Sequence, residues 1–231
     1  MPVDASEGAA CTLQVTDVRV ELPSRRAAAS LAASRRKPMA SVSFSLSDGA
    51  ERTIKVPVRV ARILRDESLP LPMDVDDAFD AVHALEGRVC LTMLTEMLGR
   101  RDHGAEEARM KLLDYGFRPQ EADGAVARAR ELHFLDDDRF CSYFIEERKR
   151  RGWGRRKIEI ELKRKGIEAT EVPGWPDAFF SDDDDRERAR ALLARKVIPD
   201  RNPYEKLLRF LVSKGFSYGI ASDIVKERLG S

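Results

Sequence analysis

The sequence predicts a mainly α-helical fold: three tandem, degenerate three-helix repeats in an elongated curved array, preceded by a small N-terminal module that contains a β-hairpin. Three observations predict it. Apolar residues alternate at period two only within residues 12–60, helical periodicity replaces this pattern from about residue 88, and three glycine-containing segments recur at spacings of 50 and 49 residues. A repeat near this period is typical of supersecondary units that bury their cores largely against their neighbours.

The N-terminal module is predicted to cover residues 1–87 and to begin with strands. The apolar residues of its three alternating runs are Val18, Val20 and Leu22, then Val42, Phe44 and Leu46, then Ile54, Val56 and Val58. Asp48 and Gly49 separate the second and third runs, and an Asp-Gly pair between two alternating runs indicates a hairpin.

The rest of this module mixes a linker with helices. Residues 23–40 are rich in Ala, Ser and Arg, and a solvated linker is a better interpretation of this composition than a nucleic-acid contact. Residues 57–66 are predicted to form a short helix. Asp74 is predicted to cap the next helix, because Asp readily accepts hydrogen bonds from the free N–H groups of a first turn.

The three repeats are predicted to cover residues 88–135, 136–181 and 182–231. Their matching segments are KLLDYGF at 111–117, ELKRKGI at 161–167 and FLVSKGF at 210–216. In each one a glycine follows an amphipathic helix and precedes an apolar residue, which is typical of a helix that ends in a left-handed glycine. The last helix of the second repeat should be short, since two prolines interrupt residues 170–180.

The charge and cysteine content exclude several classes of protein. Lys and Arg number 41 and Asp and Glu 40, so the net charge of +1 indicates no partner by itself. Cys11, Cys90 and Cys141 form no CxxC motif, which favours a reducing compartment. The N-terminus has no signal-peptide pattern and no apolar run approaches the roughly 20 residues that span a bilayer. We therefore expect a soluble cytoplasmic protein with no membrane contact.

One local stretch is strongly basic. Residues 139–166 hold eleven Lys or Arg and four Asp or Glu, a local charge of +7. Arg155, Arg156 and Lys157 begin a predicted helix, where cations are unfavourable beside the positive end of the helix dipole. Such a helix start could bind an anion, either a DNA phosphate or an acidic protein surface. The alternative is an ordinary solvated helix face with local ion pairs.

The candidate binding residues form what we call the basic segment. Within it Trp153, between two glycines, could stack on a base, fill a pocket of a partner, or simply plug the turn between two helices. The members of the basic segment are Arg148, Lys149, Arg150, Arg151, Trp153, Arg155, Arg156, Lys157, Lys163, Arg164 and Lys165.

Catalytic and metal chemistry is not indicated. The three histidines, His83, His103 and His133, have no partner at metal-ligand spacing. The acidic run at 182–185 is better explained as a helix cap than as a metal or nuclease site. Phosphate-binding, nucleophile-elbow and dinucleotide motifs are lacking from the sequence. We expect no enzyme activity, no cofactor and no metal.

Residues 113–168 resemble the RecX family, regulators of the RecA recombinase. The residues that carry the resemblance are Phe134, Leu135, Asp136, Asp137, Phe140, Arg148, Gly152, Gly154, Ile158, Glu161, Leu162, Lys165, Gly166 and Ile167. The resemblance extends more loosely over residues 88–231. The hairpin resembles the N-terminal extension of longer members, whereas the insert at 23–40 departs from the family pattern.

The resemblance implies a negative regulator of RecA. Such a protein binds the RecA filament on single-stranded DNA, inhibits its ATPase and strand exchange, and thereby modulates recombination, DNA repair and the SOS response. The implied partners are the RecA nucleoprotein filament and single-stranded DNA, contacted directly or through RecA, and we expect the protein to act as a monomer. The alternative is a free-standing helix-turn-helix protein that binds duplex DNA.

Overall fold

The structure is a computed structural model that describes residues 12–24 and 37–230. It is mainly helical with a small antiparallel sheet near the N-terminus, as predicted. The chain divides into two compact units: one comprises residues up to 100 and 108–134, and the other comprises residues 101–107 and those from 135 onward. The linker predicted at 23–40 falls largely outside the described residues.

Four strands form the sheet: β1 (Gln14–Glu21), β2 (Met39–Leu46), β3 (Glu51–Pro57) and the two-residue β4 (Met73–Asp74), in the order β3-β2-β1-β4. The predicted hairpin is confirmed, because β2 and β3 pair in antiparallel register with Val42 opposite Ile54. Val42 and Phe44 are fully buried. Alternation at period two thus places one face of β2 in the core.

The helices that follow are α1 (Val58–Asp66), α2 (Val75–Leu98), α3 (Ala105–Asp114) and α4 (Pro119–Glu131). The Asp74 cap is confirmed, since its carboxylate accepts a hydrogen bond from the N–H of Asp76 at 2.8 Å. Helix α2 runs without a break across the boundary predicted at 87/88. Its buried residues Val82, Leu85 and Val89 form one continuous stripe, and no capping residue interrupts it. The division into one module and three repeats stays a prediction.

A buried carboxylate joins α2 to the loop before α4. Glu86 is 2% exposed and accepts hydrogen bonds from the backbone N–H and the Nε of Arg118, both at 3.1 Å. Arg118 also donates to Glu121 and lies 3.2 Å from Nε2 of His83. A buried charge is tolerated only when it is paired and hydrogen-bonded. This pair therefore holds the start of α4 against α2.

The second unit contains α5 (Asp137–Arg150), α6 (Arg155–Arg164), a 3-10 turn (Ala169–Glu171), α7 (Asp182–Ala194), α8 (Pro203–Lys214) and α9 (Tyr218–Leu229). The helix predicted from about residue 170 is reduced to the 3-10 turn, in line with the two prolines. One apolar core lies among α5, α6 and the turn, and a second lies among α7, α8 and α9.

Asp136 caps α5 by accepting from the N–H of Arg139 at 2.9 Å. The cap of α7 differs from the prediction, which assigned it to the acidic run at 182–185. Helix α7 is capped by Ser181, whose hydroxyl accepts from the N–H of Asp184. The acidic run at 182–185 lies one position later, in the first turn, where it interacts favourably with the helix dipole.

Each of the three repeated glycines lies in close contact with another part of the chain. A Cβ on Gly116 would lie 2.0 Å from the Sδ of Met39, and the N–H of Lys37 donates to the carbonyl of Asp114. A Cβ on Gly166 would lie 2.5 Å from the Cγ of Glu106. The glycine turns therefore serve as packing surfaces as well as helix ends.

The third glycine lies against backbone atoms of another helix. A Cβ on Gly215 would lie 2.5 Å from the backbone nitrogen of Lys157 and 2.6 Å from its Cβ. Thus the first turn of α3 contacts the glycine that ends α6, and the first turn of α6 contacts the glycine that ends α8. Both junctions place the first turn of one helix against a glycine turn, and both lie within the second unit.

The carboxylate of Glu107, in the first turn of α3, bonds to the end of α6. Its Oε2 lies 2.8 Å from the Nζ of Lys165, while its Oε1 lies 3.2 Å from the Nδ1 of His103 and also pairs with Arg101. Burial alone would raise the pKa of Glu107, but the contacts with these three partners outweigh it and hold that pKa well below its usual range. The ionised form is therefore the one that stabilises the junction.

We expect Glu107→Gln to lower the free energy of unfolding by about 2 kcal/mol at pH 7. A carboxylate whose pKa is depressed by folding stabilises above its unfolded pKa of about 4.3, and this contribution is lost as the pH falls through its lower folded pKa. The difference between wild type and variant should therefore shrink steadily below about pH 5. Urea unfolding followed by Trp fluorescence at pH 7, 5, 4 and 3 measures it. A pH-independent difference would contradict this role.

None of the helices in the described part of the chain is long and apolar enough to cross a bilayer. The longest, α2, carries both acidic and basic residues along its length.

Candidate functional site

The first turn of α6 is where the sequence predicted a binding site for an anion. In the structure the N–H of Gly154 donates to the carbonyl of Lys214 at 2.8 Å, and the N–H of Arg156 donates to the carbonyl of Gly215 at 3.1 Å. The negative end of α8 thus faces the positive end of α6, which is a favourable arrangement of dipoles. The chain itself occupies the N–H groups of Gly154 and Arg156, so these two backbone donors are not available to a partner.

Trp153 and its neighbours are largely structural. The Trp153 ring is partly buried against the core of α5 and α6. The guanidinium of Arg148 lies 4.9 Å from the ring centroid and the Nζ of Lys157 lies 4.2 Å from it. Arg148 is itself mostly buried and pairs with Glu147 at 3.1 Å. Of the uses predicted for Trp153, this geometry favours the plug between two helices, because cations already cover the ring.

Two further lysines of the basic segment hold parts of the chain together. Lys149, with a side chain 15% exposed, donates to the carbonyl of Phe179 and lies 3.6 Å from the carboxylate of Asp184. Lys165, 20% exposed, forms the ion pair with Glu107. Charges that are mostly buried and paired in this way are costly to separate. These two side chains are therefore unsuited to binding a partner.

The remaining cations of the basic segment are exposed. Arg151 pairs with Glu147, Lys163 with Glu168 at 3.1 Å and Arg164 with Glu161 at 2.8 Å. Exposed ion pairs of this kind contribute only about 0–1 kcal/mol, so these cations can exchange partners at little cost. They form a surface of available positive charge, together with Arg150, Arg155 and Arg156.

Arg155 and Arg156 stand out within this surface. Among the residues that the structure describes, neither forms an ion pair. The guanidinium of Arg155 lies 5.8 Å from the ring centroid of Trp175, which is partly buried. Adjacent unpaired guanidiniums present several donors for oxygen acceptors such as phosphates or carboxylates.

Sequence reasoning missed the residues that position this surface. The carbonyls of Lys214 and Gly215 accept hydrogen bonds from the N–H groups at the start of α6. Arg188 of α7 donates to the carbonyl of Trp153 at 2.8 Å and pairs with Asp184 and Asp185. Burial raises the pKa of Asp185 even though Arg188 opposes this shift. The recurrence of Gly215 at the repeat spacing was the one signal that could have revealed the contact with α6.

Other chemistry has little support in the structure. Cys90 and Cys141 are buried and unpaired, and burial raises their thiol pKa values to about 12 and about 11. Thiols with such raised pKa values are weak nucleophiles. The residues described by the structure include no cluster of His, Cys, Asp or Glu suited to a metal ion.

Comparisons with known proteins agree on one family. Residues 136–172 match the family domain described as RecX, second three-helix domain. The regulatory protein RecX of Vibrio vulnificus is 31% identical over 134 residues, which are 56% of this chain and 86% of the relative. The regulatory protein RecX of Clostridium botulinum is 27% identical over 195 residues, 80% of this chain and 86% of the relative.

Two solved structures share the fold. A crystal structure of regulatory protein RecX superposes with a TM-score of 0.55 at 15% identity and covers 93% of this chain and 99% of its own. The crystal structure of RecX from Lactobacillus salivarius gives a TM-score of 0.53 at 18% identity, covering 62% and 97% respectively.

A helical chain with a small N-terminal sheet is also the fold class of these RecX structures. The chain belongs to the RecX family of regulatory proteins.

Proposed function

We propose that this protein is a negative regulator of RecA that binds the RecA filament on single-stranded DNA and inhibits its ATPase and strand exchange. Through this inhibition it modulates recombination, DNA repair and the SOS response. The observation that carries the proposal, beside family membership, is the exposed pair Arg155 and Arg156. Their guanidiniums lack carboxylate partners among the described residues, while the N–H groups of Gly154 and Arg156 already bond to the end of α8.

The physical basis is the cost of placing these cations. Two arginines at a helix start oppose the helix dipole by a few tenths of a kcal/mol or more each. The carbonyls of Lys214 and Gly215 reduce this cost without pairing with the guanidiniums. A surface charged in this way suits a polyanionic partner, since each neutralised phosphate releases counterions. The partner we infer is the nucleoprotein filament, through its DNA phosphates or the acidic residues of RecA.

The test replaces both arginines, as Arg155→Gln/Arg156→Gln. We expect the concentration that half-inhibits single-stranded-DNA-dependent ATP hydrolysis by the cognate RecA to rise about tenfold, because two unpaired cations leave the interface. The matched control is Arg19→Gln/Arg52→Gln, which removes the same charge from two exposed positions on β1 and β3. It should inhibit as wild type does.

The same variants separate the two sources of negative charge. If the variant loses as much affinity for naked single-stranded DNA as for the filament, the two arginines contact DNA phosphates. Unchanged affinity for naked DNA, with weaker filament binding, would assign them to RecA. If Arg155→Gln/Arg156→Gln inhibits RecA as well as wild type does, the basic segment is a solvated helix face and the proposed role of this surface is wrong.

A further inference from the structure

The first turns of α3 and α6 each contact a glycine turn. Helix α8 occupies the equivalent position in the repeat, because a repeated glycine follows each of these three helices. At the first two positions the neighbours are Gly166 and Gly215, as given above. The remaining repeated glycine, Gly116, contacts Met39 of the sheet. Among the residues that the structure describes, no repeated glycine is therefore left to cover the start of α8.

The start of α8 also lacks the hydrogen bonds seen at the start of α6. Within the described chain, the N–H of Arg156 donates to a carbonyl of another helix, whereas the equivalent N–H of Tyr204 has no acceptor. Asn202, at the cap position, makes no side-chain capping bond either. Helix starts with unsatisfied donors favour a negatively charged or carbonyl-bearing neighbour.

Apolar side chains are exposed beside this helix start. Val197 is 85% exposed and Ile198 is 42% exposed, in the loop between α7 and α8. Val197 is the most exposed of the large hydrophobic residues in the described chain. These two residues are adjacent in the sequence, so they present exposed aliphatic surface together beside the start of α8.

The charges around these two residues are positive. Residues 195–206 hold four Lys or Arg and two Asp or Glu. Among the described residues, none of those cations forms an ion pair, while Lys196 lies 4.7 Å from the ring centroid of Phe210. We call this region, residues 195–206, the α7–α8 surface.

We propose that the α7–α8 surface is a second docking site, which takes an acidic segment of a protein partner that carries an apolar side chain. On the proposed function, on which this inference rests, that partner is RecA within the filament. Aliphatic side chains cannot stack on bases as aromatic rings do, so Val197 and Ile198 favour a protein over a nucleic acid. A second copy of the chain is less suited, because the described glycine turns that could continue the array are already covered.

The test uses the full chain with Val197→Asp, which replaces an exposed aliphatic residue by a charge that repels an acidic segment. The control is Phe134→Asp, since Phe134 is also an exposed apolar residue, 52% exposed, in a connection between helices. Labelled protein is titrated with RecA filaments assembled on single-stranded DNA with a non-hydrolysable ATP analogue, and separately with naked single-stranded DNA. We expect Val197→Asp to weaken filament binding about tenfold and to leave binding to naked DNA unchanged, and Phe134→Asp to change neither.

Each other outcome contradicts a defined part of the inference. If Val197→Asp binds the filament with the affinity of the wild type, the proposed docking site is wrong and the proposed function is unaffected. Equal weakening on naked DNA would assign the surface to nucleic acid. A change in sedimentation coefficient of the free protein on Val197→Asp would assign it to a second copy. Failure of the wild type to bind the filament would overturn the proposed function and this site together.

Discussion

Gly215→Ala should lower the free energy of unfolding of the second unit by about 4 kcal/mol. Gly215 has φ of +97°, where a Cβ is strained, and that Cβ would lie 2.5 Å from the backbone nitrogen of Lys157. The first turn of α6 would have to move away from the end of α8, and the two hydrogen bonds between these helices would lengthen. Urea unfolding followed by Trp fluorescence measures the effect, since both Trp residues, Trp153 and Trp175, lie in the second unit.

Two glycine variants serve as controls for this result. Gly219→Ala places a methyl group in open space within α9 and should stabilise by about 0.5–1 kcal/mol, because Ala favours the helix. Gly154→Ala separates backbone strain from steric crowding. Its φ of −84° is ordinary, yet its Cβ would lie 2.5 Å from the backbone of Gly215 and Phe216. It should destabilise by about 2 kcal/mol from crowding alone. Equal stabilities of Gly154→Ala and wild type would contradict the close junction.

Arg118→Leu should lower the free energy of unfolding of the first unit by about 3 kcal/mol. The substitution leaves the carboxylate of Glu86, 2% exposed, without its guanidinium partner, and His83 lies 3.8 Å from this carboxylate. Thiol labelling of Cys90, which is fully buried in the same helix as Glu86, follows this unit when Cys11 and Cys141 are replaced by Ser and Ala. We expect labelling of Cys90 to accelerate about a hundredfold, as a loss of this size corresponds to about two powers of ten.

A second substitution tests the cause. In Glu86→Gln/Arg118→Leu the side chain at position 86 is neutral but can still accept a hydrogen bond from the backbone N–H of residue 118. More than half of the lost stability should return, because the uncompensated charge is gone. Trp fluorescence should report an unchanged second unit in both variants. If the double variant is no more stable than Arg118→Leu, packing of the Arg118 side chain is the cause and not the buried charge.

The stability variants and the binding variants bear on different parts of the molecule. The junction between α6 and α8 holds Arg155 and Arg156 in place through backbone hydrogen bonds. If the proposed function holds, Gly215→Ala should therefore weaken inhibition of RecA through a displaced α6, whereas Arg155→Gln/Arg156→Gln removes charge without touching the junction. The proposed binding surface thus depends on tertiary contacts made by backbone atoms.

The sequence by itself determined which elements form. Alternation of Val42, Phe44 and Leu46 and the Asp48–Gly49 turn predicted the hairpin, and the structure confirms it. Apolar periodicity predicted helices from about residue 88 onward, and the structure has helices throughout this region. The cap at Asp74 followed from local chemistry, since a side-chain oxygen at this position bonds to the N–H groups of its own first turn. The glycine spacing and the family motif are likewise patterns along the sequence, so they can be recognised without the structure.

The use of those elements follows from the tertiary structure. There Gly87 lies inside one long helix, the N–H groups of Gly154 and Arg156 meet the end of α8, and Trp153, Lys149 and Lys165 contact other parts of the second unit. Arg155 and Arg156 are exposed members of the basic segment for which the described residues provide no ion pair. The reason is physical: whether a charge or a backbone donor is available to a partner depends on burial and on atoms distant in the sequence, and neither can be read from residue type and spacing.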